Sequence, residues 1–161
     1  MIKGDMIRLI LASLVSPIIA GIFGGAVFGA FSLPTAIHDL ETYDASLTRP
    51  ATLADQLAHM GMSVTGGGAM GLMLGLPILV LAGLPAHAWL VGRSKTDLRY
   101  YAIAGLLTGM IGAVPLFGFN LPRALLQDAR SVLPLLLLCS LCGMIAASVF
   151  WFLRRPDRMA V

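Results

Sequence analysis

Residues 9–33 read LILASLVSPIIAGIFGGAVFGAFSL, and no charged side chain interrupts them. A helix needs about 20 apolar residues to cross the hydrocarbon core of a bilayer, so this run is long enough to span a membrane. It is also longer than the core of about 7–15 residues that is typical of a cleaved signal peptide. We therefore expect residues 9–33 to form a retained membrane-spanning helix.

Three more stretches of the chain share this character. Lys, Arg, Asp and Glu are absent from residues 60–92, 100–122 and 131–153. Runs of this length satisfy their backbone polar groups in lipid only as helices, and the alternation of a membrane β-barrel strand is absent. The sequence therefore predicts an all-α, polytopic membrane protein with an outward loop at 34–60 and four transmembrane helices, at about 9–33, 65–91, 100–119 and 131–153.

The composition agrees with a membrane protein. Of the 161 residues, 58% are hydrophobic and only 12% are charged, whereas a soluble domain carries about 25% charged residues. We expect the whole chain, 1–161, to form a single transmembrane domain. The net charge is +3, but no basic stripe with interleaved aromatic residues suggests a nucleic-acid partner.

The basic residues predict the orientation. Eight of the eleven lie on one side of the predicted spans and three on the other. The basic side of a membrane protein is normally the cytoplasmic one, so both termini and the 92–99 loop are expected in the cytoplasm, and the short basic loops suggest the inner membrane of a bacterium. The cytoplasmic set is Lys3, Arg8, Arg93, Lys95, Arg99, Arg154, Arg155 and Arg158, and the outer set is Arg49, Arg123 and Arg130.

Two similar phrases indicate an internal repeat. FGAFSLPTAIHD at 28–39 resembles FGFNLPRALLQD at 117–128, and an offset of 88 residues pairs Pro34 with Pro122 and Gly21 with Gly109. This pattern predicts a tandem repeat of two helix hairpins. A polar N-cap followed by proline is typical of a helix start, so each phrase is expected to end a span and begin a short outer segment. TLAD at 52–55 is a similar capping sequence before the second helix.

Small residues recur at intervals of four along each predicted span. Such spacing places them on one stripe, where helix backbones can approach closely in lipid. Helix packing within one bundle and self-association of several chains both remain open. The predicted packing positions are Gly21, Gly25, Gly29, Gly67, Gly71, Gly75, Gly105, Gly109 and Gly143.

The second predicted helix contains the most irregular sequence. TGGG at 65–68 is expected to loosen its outer end, and GLP at 83–85 is expected to kink it or to end it early. Broken helices line the sites of some transporters, but neighbouring helices can also accommodate a proline in a membrane.

Cys139 and Cys142 form a CSLC sequence within the fourth predicted helix. The spacing is that of thiol redox centres, and it resembles the motif of membrane disulfide-forming enzymes and of the vitamin K epoxide reductase family, which also have four-helix bundles. The resemblance is limited to this motif, because those families carry a second cysteine pair and this chain has no other cysteine. Apolar packing of the two side chains is the alternative.

No other pattern points to chemistry. The spans contain no Asp, Glu, Lys or Arg, which mark most ion pathways, and His38, His59 and His87 are spaced too widely to suggest a haem or metal site. We expect no catalytic, cofactor-binding or metal-binding residues. The sequence predicts a non-enzymatic accessory, assembly or interaction subunit whose partners are lipid and another membrane protein or further copies of itself. The alternatives are a small transporter or channel formed by oligomerisation, and a membrane thiol redox protein that uses Cys139 and Cys142.

Overall fold

The computed structural model describes residues 3–43, 52–114 and 129–154, and these residues form helices with no strand among them. The helices are α1 (Lys3–Tyr43), α2 (Leu53–Gly92), α3 (Leu98–Gly112) and α4 (Ala129–Arg154). Within α2, a single π-turn over Leu79–Gly83 joins two α-helical parts. The prediction of an all-helical chain is confirmed.

Three of the four helices are long and apolar enough to cross a membrane. These segments are Met6–His38, Leu53–Gly92 and Val132–Arg154. The third helix, α3, is described over 15 residues, and the remainder of the predicted span at 100–119 lies outside the described residues. The fold is therefore compatible with a multi-pass membrane protein.

The predicted loop at 34–60 is wrong over much of its length. α1 continues through Pro34 to Tyr43, and α2 begins at Leu53. Ser32 is not an N-cap, since its Oγ donates to the carbonyl of Gly29 within a continuous helix. The span was predicted at the length that crosses a bilayer core of about 30 Å. The apolar segment of α1 is longer, because it has 33 residues and measures about 50 Å at 1.5 Å per residue.

The start of α2 is fixed by a capping box. The Thr52 hydroxyl accepts a hydrogen bond from the Asp55 backbone N–H at 3.4 Å, and the Asp55 carboxylate accepts one from the Thr52 backbone N–H at 2.8 Å. These bonds satisfy donors that a helix start otherwise leaves unpaired. The prediction that TLAD at 52–55 caps the second helix is confirmed, but the boundary predicted at residue 65 is wrong.

The irregularity expected at GLP 83–85 takes the form of the π-turn. Pro85 cannot donate to the carbonyl four residues earlier, and its ring would collide with that carbonyl in a regular α-helix. One wider turn relieves this clash, and the backbone N–H of Leu84 donates to Leu79. The regular α-helix thus ends at Ile78, and the chain continues as helix through the π-turn to Gly92. TGGG at 65–68 likewise lies within a continuous helix.

The turn between α2 and α3 closes through a Schellman motif. The backbone N–H of Lys95 donates to Leu90, and that of Ser94 donates to Val91, which is the pairing that satisfies the last carbonyls of a helix. Ser94 adopts a φ of 55°, in the left-handed region that this motif requires. The end of the bundle that contains this turn, the first residues of α1 and the last of α4 is called the turn end below.

The helices associate mainly as two pairs. α1 packs along α2, α3 packs along α4, and α1 and α4 join the pairs, whereas α2 and α3 touch at few points. The most deeply buried apolar cluster lies at the turn end and consists of Ala12, Leu90, Tyr101 and Phe150. The bundle is thus closed at the turn end and less filled along the seam between α2 and α3.

Candidate functional site: an apolar groove between two glycine-packed helix pairs

Glycines bring the backbones of α1 and α2 into contact. A Cβ atom on Gly21 would lie 2.8 Å from the Cα of Gly71 and closer still to the carbonyl oxygen of Gly67. A Cβ on Gly25 would meet the backbone of Ser63 and Gly67 in the same way. Real Cβ atoms do not approach backbone so closely, so even a methyl group would force these helices apart.

Glycines bring the backbones of α3 and α4 into contact in the same way. A Cβ on Gly143 would lie 2.7 Å from the Cα of Gly109 and would also meet the carbonyl oxygen of Gly105. Gly29 faces Ser63 and Gly75 faces Pro17 in the first pair. The structure therefore places every glycine of the predicted packing set against a facing helix, although the internal repeat remains a prediction.

The joint between the two pairs was not predicted. A Cβ on Gly24 would lie 2.9 Å from the Sγ of Cys142, so α1 meets α4 through a glycine outside the four-residue stripes. Both Cys139 and Cys142 are free and half-buried, and they belong to the lining of the space between the pairs.

This space is an elongated groove with a volume of about 560 Å³. All four helices contribute to it, and it follows α2 from Met62 to Leu90. The described residues that line it include no Asp, Glu, Lys or Arg. The groove therefore offers an apolar surface, formed largely because glycine and alanine leave room where larger side chains would fill the bundle.

A polar pair lies in the groove near the turn end. The Nδ1 atom of His87 lies 2.6 Å from the hydroxyl of Tyr101, and the His87 ring meets Phe150 edge-on with centroids 5.2 Å apart. From the sequence His87 was considered as a haem or metal ligand, and Tyr101 was missed as its partner. The available clue was that the two residues lie at similar distances on either side of the α2–α3 turn.

Aromatic and basic side chains surround the turn end. The Arg93 guanidinium lies 4.3 Å from the centroid of the Trp89 ring, and Lys95 and Arg99 lie over the ring of Tyr100. The Trp151 Nε1 donates to the carbonyl of Thr96 at 2.6 Å. Amphipathic rings with neighbouring cations are typical of the boundary between a bilayer and water.

The other histidines lie away from this pair. The Nε2 of His59 lies 3.1 Å from the Oγ of Ser32, in the part of the α1–α2 pair that is remote from the turn end. Among the described residues no three His, Cys, Asp or Glu side chains converge on a metal site. Comparison with known protein families, with curated proteins and with solved structures found no match to this chain.

Proposed function

We propose that the protein is a small integral membrane protein that acts as a non-enzymatic accessory or interaction subunit of a membrane complex. In this proposal residues 1–161 form one transmembrane domain of the inner membrane, made of two helix hairpins with both termini in the cytoplasm. The bias of basic residues and the ring of aromatic and basic side chains around the turn end support that orientation.

The observation that carries the functional part of the proposal is the exposure of α2. The structure describes all of Leu53–Gly92, and within this helix only Leu90 is buried. α2 packs along α1 through a glycine stripe and meets α3 and α4 mainly near the turn end, and much of the rest of its surface is exposed in the described chain. A helix that is apolar around its circumference is suited to lipid or to another membrane helix.

The outward face of α2 also has room for a close neighbour. Gly61, Thr65 and Ala69 are exposed and spaced by four, and a Cβ on Gly61 would meet nothing within 4 Å. The Thr65 hydroxyl donates to the carbonyl of Gly61 at 2.8 Å. Its hydrogen-bond donor is therefore satisfied within α2, and Thr65 can contact a neighbouring helix through its methyl group. Small residues at this spacing permit close helix contact in lipid, and we place the partner's contact here.

The direct test is intact-mass measurement of the tagged protein extracted into native nanodiscs. The expected result is a stoichiometric complex with a different membrane protein, and Ala69→Leu is expected to disrupt it. Ala30→Leu is the matched control, because Ala30 is also exposed but lies on α1. Recovery of the chain alone or as a homo-oligomer would contradict the accessory role.

The described lining of the groove supports this role over the two alternatives from the sequence. It contains no acidic or basic side chain that would serve an ion pathway. The two cysteines have no second described cysteine pair with which to exchange electrons. Cys142→Ser is therefore expected to leave assembly and cellular phenotype unchanged.

A further inference from the structure

His87 and Tyr101 form a polar pair near the turn end of a mostly apolar groove. His87 Nδ1 is engaged by the Tyr101 hydroxyl, and within the described chain its Nε2 makes no hydrogen bond. The pair therefore retains hydrogen-bonding capacity in either tautomer, since one nitrogen of neutral imidazole donates and the other accepts. A ligand with a single polar head can use this capacity, while the remainder of the groove accommodates apolar atoms.

The groove runs along most of α2. From Met62 to Leu90 the lining advances 28 residues along α2, or about 42 Å at 1.5 Å per residue. An extended hydrocarbon chain can follow a groove of this length.

The position of the anchor fits an amphiphile in a bilayer. His87 lies two residues before Trp89, and Tyr101 follows Tyr100, so the polar pair is level with the interfacial aromatic residues. The groove extends from there toward the opposite end of the bundle. A lipid whose head lies at the interface would therefore direct its tail along the groove. This step depends on the membrane insertion proposed above, but not on a protein partner.

We propose that the groove binds one amphiphile with an uncharged oxygen head, a hydroxyl or a carbonyl, and a long apolar tail. The head forms a hydrogen bond with the His87–Tyr101 pair, and the tail lies against the glycine and alanine wall. The described lining itself contains no Asp, Glu, Lys or Arg, but the buried guanidinium of Arg154 acts electrostatically on both His87 and Tyr101, so an anionic lipid is the competitor that the test has to include. A prenylquinone supplies a carbonyl head and a diacylglycerol supplies a hydroxyl, so both are sources of the required chemistry.

The test is native mass spectrometry of the purified, delipidated full chain with three added probes: a prenylquinone, dioleoylglycerol and phosphatidylglycerol. The expected result is one bound molecule of an uncharged probe per chain, and the probe that binds identifies the source. His87→Leu and Tyr101→Phe are expected to weaken binding about threefold to tenfold, the effect of one hydrogen bond. His87→Gln retains a donor and is expected to bind more tightly than His87→Leu.

Ser148→Ala is the matched control. Ser148 is not among the residues that line the groove, and its hydroxyl donates to the carbonyl of Met144 at 2.8 Å, so its loss is expected to leave binding unchanged. Ala146→Leu fills the groove and is expected to abolish binding, with tryptophan fluorescence as the check on folding. Exclusive binding of phosphatidylglycerol, binding that His87→Leu and Tyr101→Phe both leave unaltered, or no saturable binding by folded protein would each overturn the proposal. Because no partner is present, these outcomes are independent of the accessory role.

Discussion

At the scale of single residues, Ser94 combines an unfavourable backbone conformation with a required position. It is the one non-glycine residue with a positive φ in the described chain, and the Schellman motif at the end of α2 needs that conformation. Glycine adopts it without steric cost, whereas other L-residues do not. The sequence VGRSKTD gave no sign of this, because the glycine at position 92 lies two residues too early.

Ser94→Gly is expected to stabilise the protein by about 0.5–1 kcal/mol. Glycine removes the steric cost of the left-handed conformation, and the greater flexibility of the unfolded chain offsets part of that gain. Thermal unfolding in detergent, followed by the fluorescence of Trp89 and Trp151, measures the change. Ser94→Ala is the control and should give no stabilisation, since alanine keeps the Cβ atom. Equal stability of the Gly and Ala variants would show that the left-handed conformation carries no cost.

At the scale of helices, the sequence showed how the small residues are spaced but not which residues of the neighbouring helix they contact. Intervals of four follow from helix geometry alone, so the stripes on α1, α2 and α3 could be predicted. TGGG at 65–68 offers three adjacent glycines. The four-residue spacing to Gly71 selects Gly67, but only the register between α1 and α2 shows that Gly67 contacts Gly21 and Gly25. The irregular backbone expected from these glycines is absent because tight packing against α1 holds them in a helix.

Neighbouring glycines on α2 supply a matched pair of variants. A Cβ on Gly67 would lie 2.6 Å from the Cα of Gly25, whereas a Cβ on Gly66 would meet nothing within 4 Å. Gly67→Ala is expected to destabilise the bundle by about 1–3 kcal/mol through overpacking. Gly66→Ala is expected to be neutral or stabilising by up to about 1 kcal/mol, because alanine favours helix. The same unfolding measurement applies, and similar effects of the two changes would contradict the observed α1–α2 register.

At the scale of the whole molecule, hydropathy identified the long apolar segments but not the helix ends. Pro34 suggested a helix end, yet α1 continues beyond it to Tyr43. Ser32 contacts His59, which lies before the predicted start of the second span but within α2. The groove could not be predicted from the chain, because it arises from the arrangement of four helices and from the few contacts between α2 and α3. The His87–Tyr101 pair depends in the same way on how two helices meet across a turn.

In the proposed topology the chain spans a bilayer with the turn end in the cytoplasm, and cysteine accessibility in intact cells tests this most directly. In a Cys139→Ser, Cys142→Ser background, single cysteines would replace Ser94, Thr48 and Met159, and each would be labelled with a membrane-impermeant maleimide. We predict that the cysteine at position 48 reacts in intact cells, while those at 94 and 159 react only after the cells are lysed. Labelling of positions 48 and 94 from the same side of the membrane would contradict the account.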